Sequence, residues 1–273
     1  MISRTERTLS YLILAVFSVV IVLPLMGLLL TALQEPTGVS SGLGVPTELH
    51  FANFSRAWTQ GNFASYIRSS VIVTTAVVAV TSFVSILSGY AFGTMRFAGQ
   101  KPLFYLFVVG IIVPLEAIIV PLYYDFRALS LTDSYWALIL PHIGLSVGFG
   151  TFWMRAFFLS APRALIEAAR IDGASSWDIA WKVLVPLGRP AILTMVVLVF
   201  MWTWNDFLLA LVMVSDEAVR TAPLGLGYFQ GRYTSELSLL AAASVIVATP
   251  VVVVYIILQR HFIRGMLAGS LKE

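Results

Sequence analysis

The sequence predicts an all-α integral membrane protein: six transmembrane helices with one elbow-shaped helical segment outside the bilayer. Three observations predict it. Of 273 residues, 59% are apolar and only 11% are charged, whereas a soluble domain carries about 25% charge. Six stretches, near residues 9–33, 69–92, 102–124, 135–154, 190–214 and 237–258, reach the roughly 20 mostly apolar residues that cross a bilayer. The basic residues, finally, are unevenly shared between the two sides those spans define. With the N-terminus inside, Arg4, Arg7, Arg96, Lys101, Arg155, Arg163, Arg170, Lys182, Arg189, Arg260, Arg264 and Lys272 lie inside, and only Arg56, Arg68, Arg127, Arg220 and Arg232 lie outside. Basic residues near span ends resist translocation, so both termini are expected in the cytoplasm and the chain in the cytoplasmic membrane. A mean hydropathy of +0.89 excludes intrinsic disorder, and zero cysteines remove disulfides, thiol nucleophiles and thiolate metal sites. The net charge of +3 is spread over span ends. Lipid is therefore the expected partner, and nucleic acid is not.

Taken in order, the first apolar stretch follows Arg4 and Arg7 but is too long for a signal peptide's apolar core, so it is read as a retained helix. An outside segment, residues 34–68, carries Gly38, Gly42, Gly44 and Pro46, and Asn53-Phe54-Ser55 forms a glycosylation sequon. Short turns near 95–101 and 125–134 flank the third stretch. That stretch holds Glu116 between Pro114 and Pro121, which are expected to break it. An ionisable group at depth costs about 2.5–3.5 kcal/mol on insertion scales and points to a pathway or a pairing. The fourth stretch contains Gly144-Leu145-Ser146-Val147-Gly148, the pattern of a serine-hydrolase nucleophile, with His142 one turn earlier. Such a nucleophile needs a strand before it and a helix after it; in one apolar span Gly144 and Gly148 read instead as a close-packing pair, with the Ser146 hydroxyl free to bond back to the His142 carbonyl. His50, His142 and His261 are scattered, and no metal site is expected.

The inside segment, residues 160–189, is the most informative. Ser160 and Pro162 suit a helix start and Gly173 a helix stop. Ser175 and Asp178 have the spacing of a capping box opening a second helix, with Trp177, Trp181 and Leu184 on one face, ending near Pro186. The first helix bears Glu167 among Ala164, Ala168 and Ala169, a thin ridge able to enter a groove on another protein. Pairing of Glu167 with Arg163 and Arg170 on a solvated face is the alternative. The fifth stretch carries Trp202, Trp204, Asn205 and Asp206, aromatic and hydrogen-bonding groups that suit a sugar; a packing role, with Asp206 paired to a neighbouring subunit, is the alternative. The outside loop, 215–236, is glycine-rich and aromatic, with Pro223, Gly225, Gly227, Tyr228 and Phe229. It is either a contacting loop or a plain connector. Residues 1–273 are read as a single transmembrane domain without internal repeats.

Glu167-Ala168-Ala169, three residues, Gly173, nine residues and Val183-Leu184-Val185-Pro186 resemble the EAA loop of the permeases of binding-protein-dependent ABC importers. Val183 and Val185 depart conservatively from that pattern. Trp204-Asn205-Asp206-Phe207 and the tail with Gly265, Gly269 and Lys272 resemble the carbohydrate-uptake branch, similar to the smaller membrane subunit of the maltose transporter. Met266 and Ser270 depart from that tail. The resemblance implies a permease that pairs with a second, unlike permease, two ATPase subunits and an outside solute-binding protein to move a sugar or polyol inward by alternating access. It assigns ATPase coupling to Glu167, Ala168, Ala169, Gly173 and Pro186. The path or permease interface falls to Glu116, Trp202, Trp204, Asn205 and Asp206, and binding-protein contact to the outside loop. No cofactor is expected in this chain and no covalent chemistry. Its lysines, Lys101, Lys182 and Lys272, are followed by Pro, Val and Glu, so it has no P-loop and ATP with its Mg belongs to the ATPases. The alternatives are an intramembrane serine hydrolase using Ser146 and His142, and an ion-coupled transporter using Glu116 and Asp206.

Overall fold

A computed structural model describes residues 4–35, 44, 46, 48–229 and 236–270, with side chains as far as Arg260. The regular structure among the described residues is all helical, without strands. They form α1 (Arg4–Ala32), α2 (Ala52–Gln60), α3 (Phe63–Thr94), α4 (Gln100–Ile112), α5 (Leu115–Ala128), α6 (Tyr135–Ser160) and α7 (Arg163–Ile171). Next come α8 (Ser176–Leu187), α9 (Arg189–Trp204), α10 (Leu208–Met213) and α11 (Leu237–Ser270). Four helices are each long and apolar enough to cross a membrane, and two bent pairs raise the number to six: α4 with α5, bent by 97°, and α8 with α9, bent by 79°. The third and fifth apolar stretches are thus not simple spans. The chain leaves the helix at Val113, ahead of Pro114, whereas Pro121 lies inside α5; a proline restricts the residue before it away from helical dihedrals. The fifth stretch breaks after Trp204 and resumes at Leu208.

The chain packs as two compact units, residues Met1–Ala64 with Gly225–Pro250, and residues Ser65–Leu224 with Val251–Glu273. In the first unit, α1 exposes nearly all its apolar side chains, as a helix that is hydrophobic all round must against lipid or another subunit. The Asn53 side chain closes its end by donating to the Ala32 and Gln34 carbonyls at 2.9 and 2.8 Å, which satisfies acceptors that a helix terminus leaves open. Asn53 is only 1% exposed, so the sequon is a buried structural amide and not an accessible acceptor.

In the second unit, α6 is the central element, packed on α3, α4 and α9. Close approach is set by glycine. A Cβ on Gly89 would sit 2.9 Å from the Arg155 backbone nitrogen, and one on Gly93 2.8 Å from the Phe158 Cβ. Gly89 and Gly93 are four residues apart on α3 and meet Met154 and Phe158, four apart on α6. This is the small-residue packing of membrane helices. On the other face of α6, a Cβ on Gly148 would lie 2.8 Å from the Phe107 carbonyl oxygen, whereas Gly144 has nothing within 4 Å. Only Gly148 of the expected pair is at a helix contact. The Ser146 hydroxyl makes no hydrogen bond to His142 among the described residues, which corrects the expected local bond.

Candidate functional site

The elbow is built by local signals. α6 runs through Ser160, whose hydroxyl donates back to the Phe157 carbonyl; Ser160 ends that helix, and Pro162, not Ser160, occupies the cap of α7. α7 ends in a Schellman motif. Gly173 adopts φ +80°, a left-handed conformation that only glycine adopts without strain. Its amide donates to the Arg170 carbonyl while that of Ala174 donates to the Ala169 carbonyl. Two residues on, the Ser175 hydroxyl accepts from the Asp178 amide and the Asp178 carboxylate accepts from the Ser175 amide, the reciprocal capping box. Lys182 lies 2.6 Å from Asp178. Its ammonium, with the Ser175 hydroxyl and amide, holds the Asp178 pKa down to about 2. A carboxylate depressed in the folded state stabilises above its unfolded value near 4 and loses that contribution only as pH falls toward 2. The box is therefore intact at neutral pH.

α8 is α-helical at both ends and π-wound over Ile179–Leu184. The wider turns drive Ile179, Ala180 and Leu184 into the core, where they are 1%, 2% and 0% exposed. Trp181 stacks on Phe83 at 6.1 Å. Trp177 is 57% exposed and touches Trp181, so only one of the two indoles packs the elbow against the spans. Gly188, at the 79° bend, lets α8 approach Phe157, whose ring edge would stand 2.6 Å from a Cβ there.

α7 thus lies on the core along one face, through Ile166 and Ala169, and presents the other to solvent. Ala164, Glu167, Ala168 and Ile171 share that face at i, i+3, i+4, i+7 spacing. All four are exposed, Ile171 by 87%. Glu167 forms no ion pair with Arg163 or Arg170 among the described residues. The solvated pairing offered as the alternative is not made. Pro186 is exposed within the last turn of α8.

The break in the fifth stretch is held by the two polar residues the sequence singles out. The Asn205 amide donates to the Met201 carbonyl at 2.8 Å, closing α9, and the Asp206 carboxylate accepts the Ala210 amide at 3.3 Å, opening α10. The same carboxylate oxygen, Oδ2, lies 4.0 Å from His142 Nε2. His142 Nδ1 donates to the Leu138 carbonyl at 3.1 Å, so the imidazole spans α6 and the break. Within this chain Asp206 thus lies beside a histidine of α6. His142 directs neither nitrogen at Ser146, and Gly144 to Gly148 lie in uninterrupted α6, so the hydrolase constellation is not assembled. Trp204 is 2% exposed and stacks on Phe200 at 5.6 Å, leaving no ring face free for a path or a partner. Trp202, at 51% exposure against Phe149, and Asn205 remain open. Glu116 is exposed in the first turn of α5, at the 97° bend. Replacing Asn205 or Asp206 by Ala removes one cap from a break that lipid cannot solvate. Each is expected to lower stability by about 1–2 kcal/mol, read as a lower thermal transition of the purified protein; an unchanged transition in both would contradict this role.

The outside loop begins pinned. Asp133 accepts the Ser215 and Asp216 amides, the Ser69 hydroxyl donates to the Ala218 carbonyl and Ser70 accepts the Ala222 amide. No sequence signal marks Asp133, Ser69 or Ser70 for this task. Pro223, Gly225 and Phe229 are buried, with Phe229 stacked on Phe63 at 6.4 Å. Gly227 and Tyr228 are exposed. Arg232 and Tyr233 of this loop, and Lys272 of the tail, lie outside the described residues. Among the described residues no group of three or more metal-ligating side chains comes together.

A broken-span helical bundle with a capped helical elbow is the architecture of a transporter's membrane subunit. Residues 84–268 match the profile of the family described as binding-protein-dependent transport system inner membrane component; the chain belongs to that family, the permeases of ABC transporters. It is 31% identical to the probable ABC transporter permease protein YurM of Bacillus subtilis over 97% of this chain and 89% of that protein. It is 30% identical to the arabinooligosaccharides transport system permease protein AraQ of Halalkalibacterium halodurans over 98% of this chain and 99% of that one. A membrane chain in the crystal structure of a bacterial ABC transporter that imports the polysaccharide alginate shares the fold, with a TM-score of 0.77 and 22% identity over 96% of this chain and 99% of that chain.

Proposed function

We propose that this permease is one of two unlike membrane subunits of an ATP-driven importer that carries a sugar or related polyol into the cytoplasm. The solute arrives on an extracytoplasmic binding protein, and two ATPase subunits, which hold ATP and Mg, supply the energy. The observation that carries the coupling reading is α7. It is a short helix with an exposed, unpaired Glu167 flanked by Ala164 and Ala168, fixed at its end by the Gly173 turn and the Ser175 box. A small-residue ridge fits a narrow cleft, and a carboxylate there meets a basic group. Because Ile166 and Ala169 of α7 and Leu184 of α8 pack on the same core, a displacement of α7 is carried to the spans as a rigid-body motion.

Sugar as the cargo is supported by the name of AraQ and by the aromatic and polar groups left open at Trp202, Asn205 and Glu116. Tyr228 and Gly227 are the exposed part of the loop offered to the binding protein. The test is co-expression of this chain with its partners and reconstitution in liposomes. Uptake of the binding protein's ligand is expected to require ATP and that protein. Uptake driven by a proton gradient without ATP would favour the ion-coupled alternative and contradict the reading.

A further inference from the structure

A cavity of about 640 Å³ opens beside the elbow, between the end of α3, the start of α4, the last turns of α6 and α7. Its charge is one-sided. Arg96, Lys101, Arg155, Arg163 and Arg170 line it against a single carboxylate, Glu167. Among the described residues none of these five cations forms an ion pair. Arg155 is half-buried and fixed, its guanidinium 4.1 Å over the Phe104 ring, which occupies a π face and leaves the planar edge of N–H donors for another acceptor. Like charges gathered in a concave site repel one another and focus a positive potential. A counter-anion relieves this, and the donor geometry of a guanidinium matches phosphate oxygens.

We propose that this cavity binds a phosphate group, that of an anionic phospholipid from the surrounding leaflet. Two features favour the lipid over an acidic protein surface. The cavity lies at the ends of apolar helices, where headgroups sit, and basic pockets between spans at that level suit anionic headgroups. The wall of the cavity also continues directly onto an exposed apolar track. Tyr105, Val109 and Ile112 occupy one face of α4 and are 65%, 55% and 73% exposed, so an acyl chain can run along α4 from a headgroup held at Lys101 and Arg155. A bound lipid would then brace α4 against α7, joining the bilayer to the helix that carries Glu167. The leaflet, and only the leaflet, rests on the cytoplasmic orientation proposed above.

The experiment titrates the purified, delipidated complex with short-chain phosphatidylglycerol, with short-chain phosphatidylcholine, or with inorganic phosphate alone, and counts bound molecules by native mass spectrometry. Phosphatidylglycerol is expected to bind at least about tenfold more tightly than phosphatidylcholine. Arg155→Gln weakens it about tenfold, the loss of one charge-assisted contact, and the surface double variant Arg96→Gln with Lys101→Gln, which removes two cations, weakens it by at least as much. Arg127→Gln, in the last turn of α5 and outside the cavity lining, changes nothing. If inorganic phosphate alone binds and the same variants weaken it, the phosphate site stands with a solution anion as its source. Equal binding of both lipids with no phosphate binding, or variants without effect, would overturn the proposal. So would a photo-crosslinker at Lys101→Cys that captures the ATPase in a lipid-free, active complex. Loss of lipid selectivity with ATP-driven uptake intact sinks this site alone, whereas labelling of Lys101→Cys from the outside sinks the orientation and leaves the site.

Discussion

Glu167→Lys is expected to abolish ATP-driven uptake while leaving this chain folded. Glu167 is exposed and makes no ion pair among the described residues, so the substitution removes nothing that holds α7, whose end is fixed by Gly173 and Ser175. In a complex, the proposed cleft of the ATPase covers it. Two cations would then face each other at a desolvated contact, and truncating or reversing one partner of such a pair costs about 2–5 kcal/mol. That corresponds to a loss of coupling of at least about thirtyfold. Glu167→Gln, which keeps the shape and removes the charge, is expected to retain part of the activity. Uptake and transport-linked ATP hydrolysis in proteoliposomes, measured beside the thermal transition of each variant, check this. Full uptake by Glu167→Lys would remove the carboxylate from the mechanism.

Gly148→Leu and Gly89→Leu are expected to be the most damaging changes to the bundle itself. At both sites the nearest atoms include backbone, the Phe107 carbonyl oxygen for Gly148 and the Arg155 nitrogen for Gly89, and backbone cannot rotate away as a side chain does. Forcing a four-carbon side chain into a close-packed contact costs about 1–3 kcal/mol and more where nothing yields, so α6 would separate from α4 or α3 and the subunit would fail to assemble. Gly144→Ala meets open space and is expected to be tolerated. Ser146→Ala removes a hydroxyl with no hydrogen bond among the described residues, and near-normal uptake is expected. The ordering is read from the yield of assembled complex after detergent extraction. A fluorophosphonate probe that labels wild type and not Ser146→Ala would reverse the interpretation of this stretch.

The parts of this structure that were legible in the sequence are those written in local chemistry. Apolar length marked six stretches, and the Gly173 turn and the Ser175-Asp178 box were readable because each is a signal between residues two to five apart. The Glu167 helix was legible by spacing. What escaped was decided by contacts distant in sequence. Asn53 reads as part of a sequon in an outside segment and is a buried cap on α1. Trp204 reads as a site residue beside Asp206 and belongs to the core, because a helix that is apolar all round gives no periodicity to say which side faces inward. The prolines announced a break in the third stretch without saying that it bends by 97°. Trp177, in the first turn of α8, stays outside, while Trp181, within the π-wound turns, packs on Phe83. Gly89 and Gly93 went unremarked among many small residues, since only the α6 backbone opposite gives them meaning.

The central claim, that α7 docks the ATPase, is tested most directly by a photo-reactive crosslinker on Ala168→Cys. The native chain has no cysteine, so the label is confined to that one exposed position beside Glu167. In the active, assembled complex the account predicts that the crosslink captures the ATPase with and without ATP, because a helix that transmits motion must stay in its cleft throughout the cycle. Capture of lipid or water alone, with no ATPase in any nucleotide state while uptake continues, would contradict it.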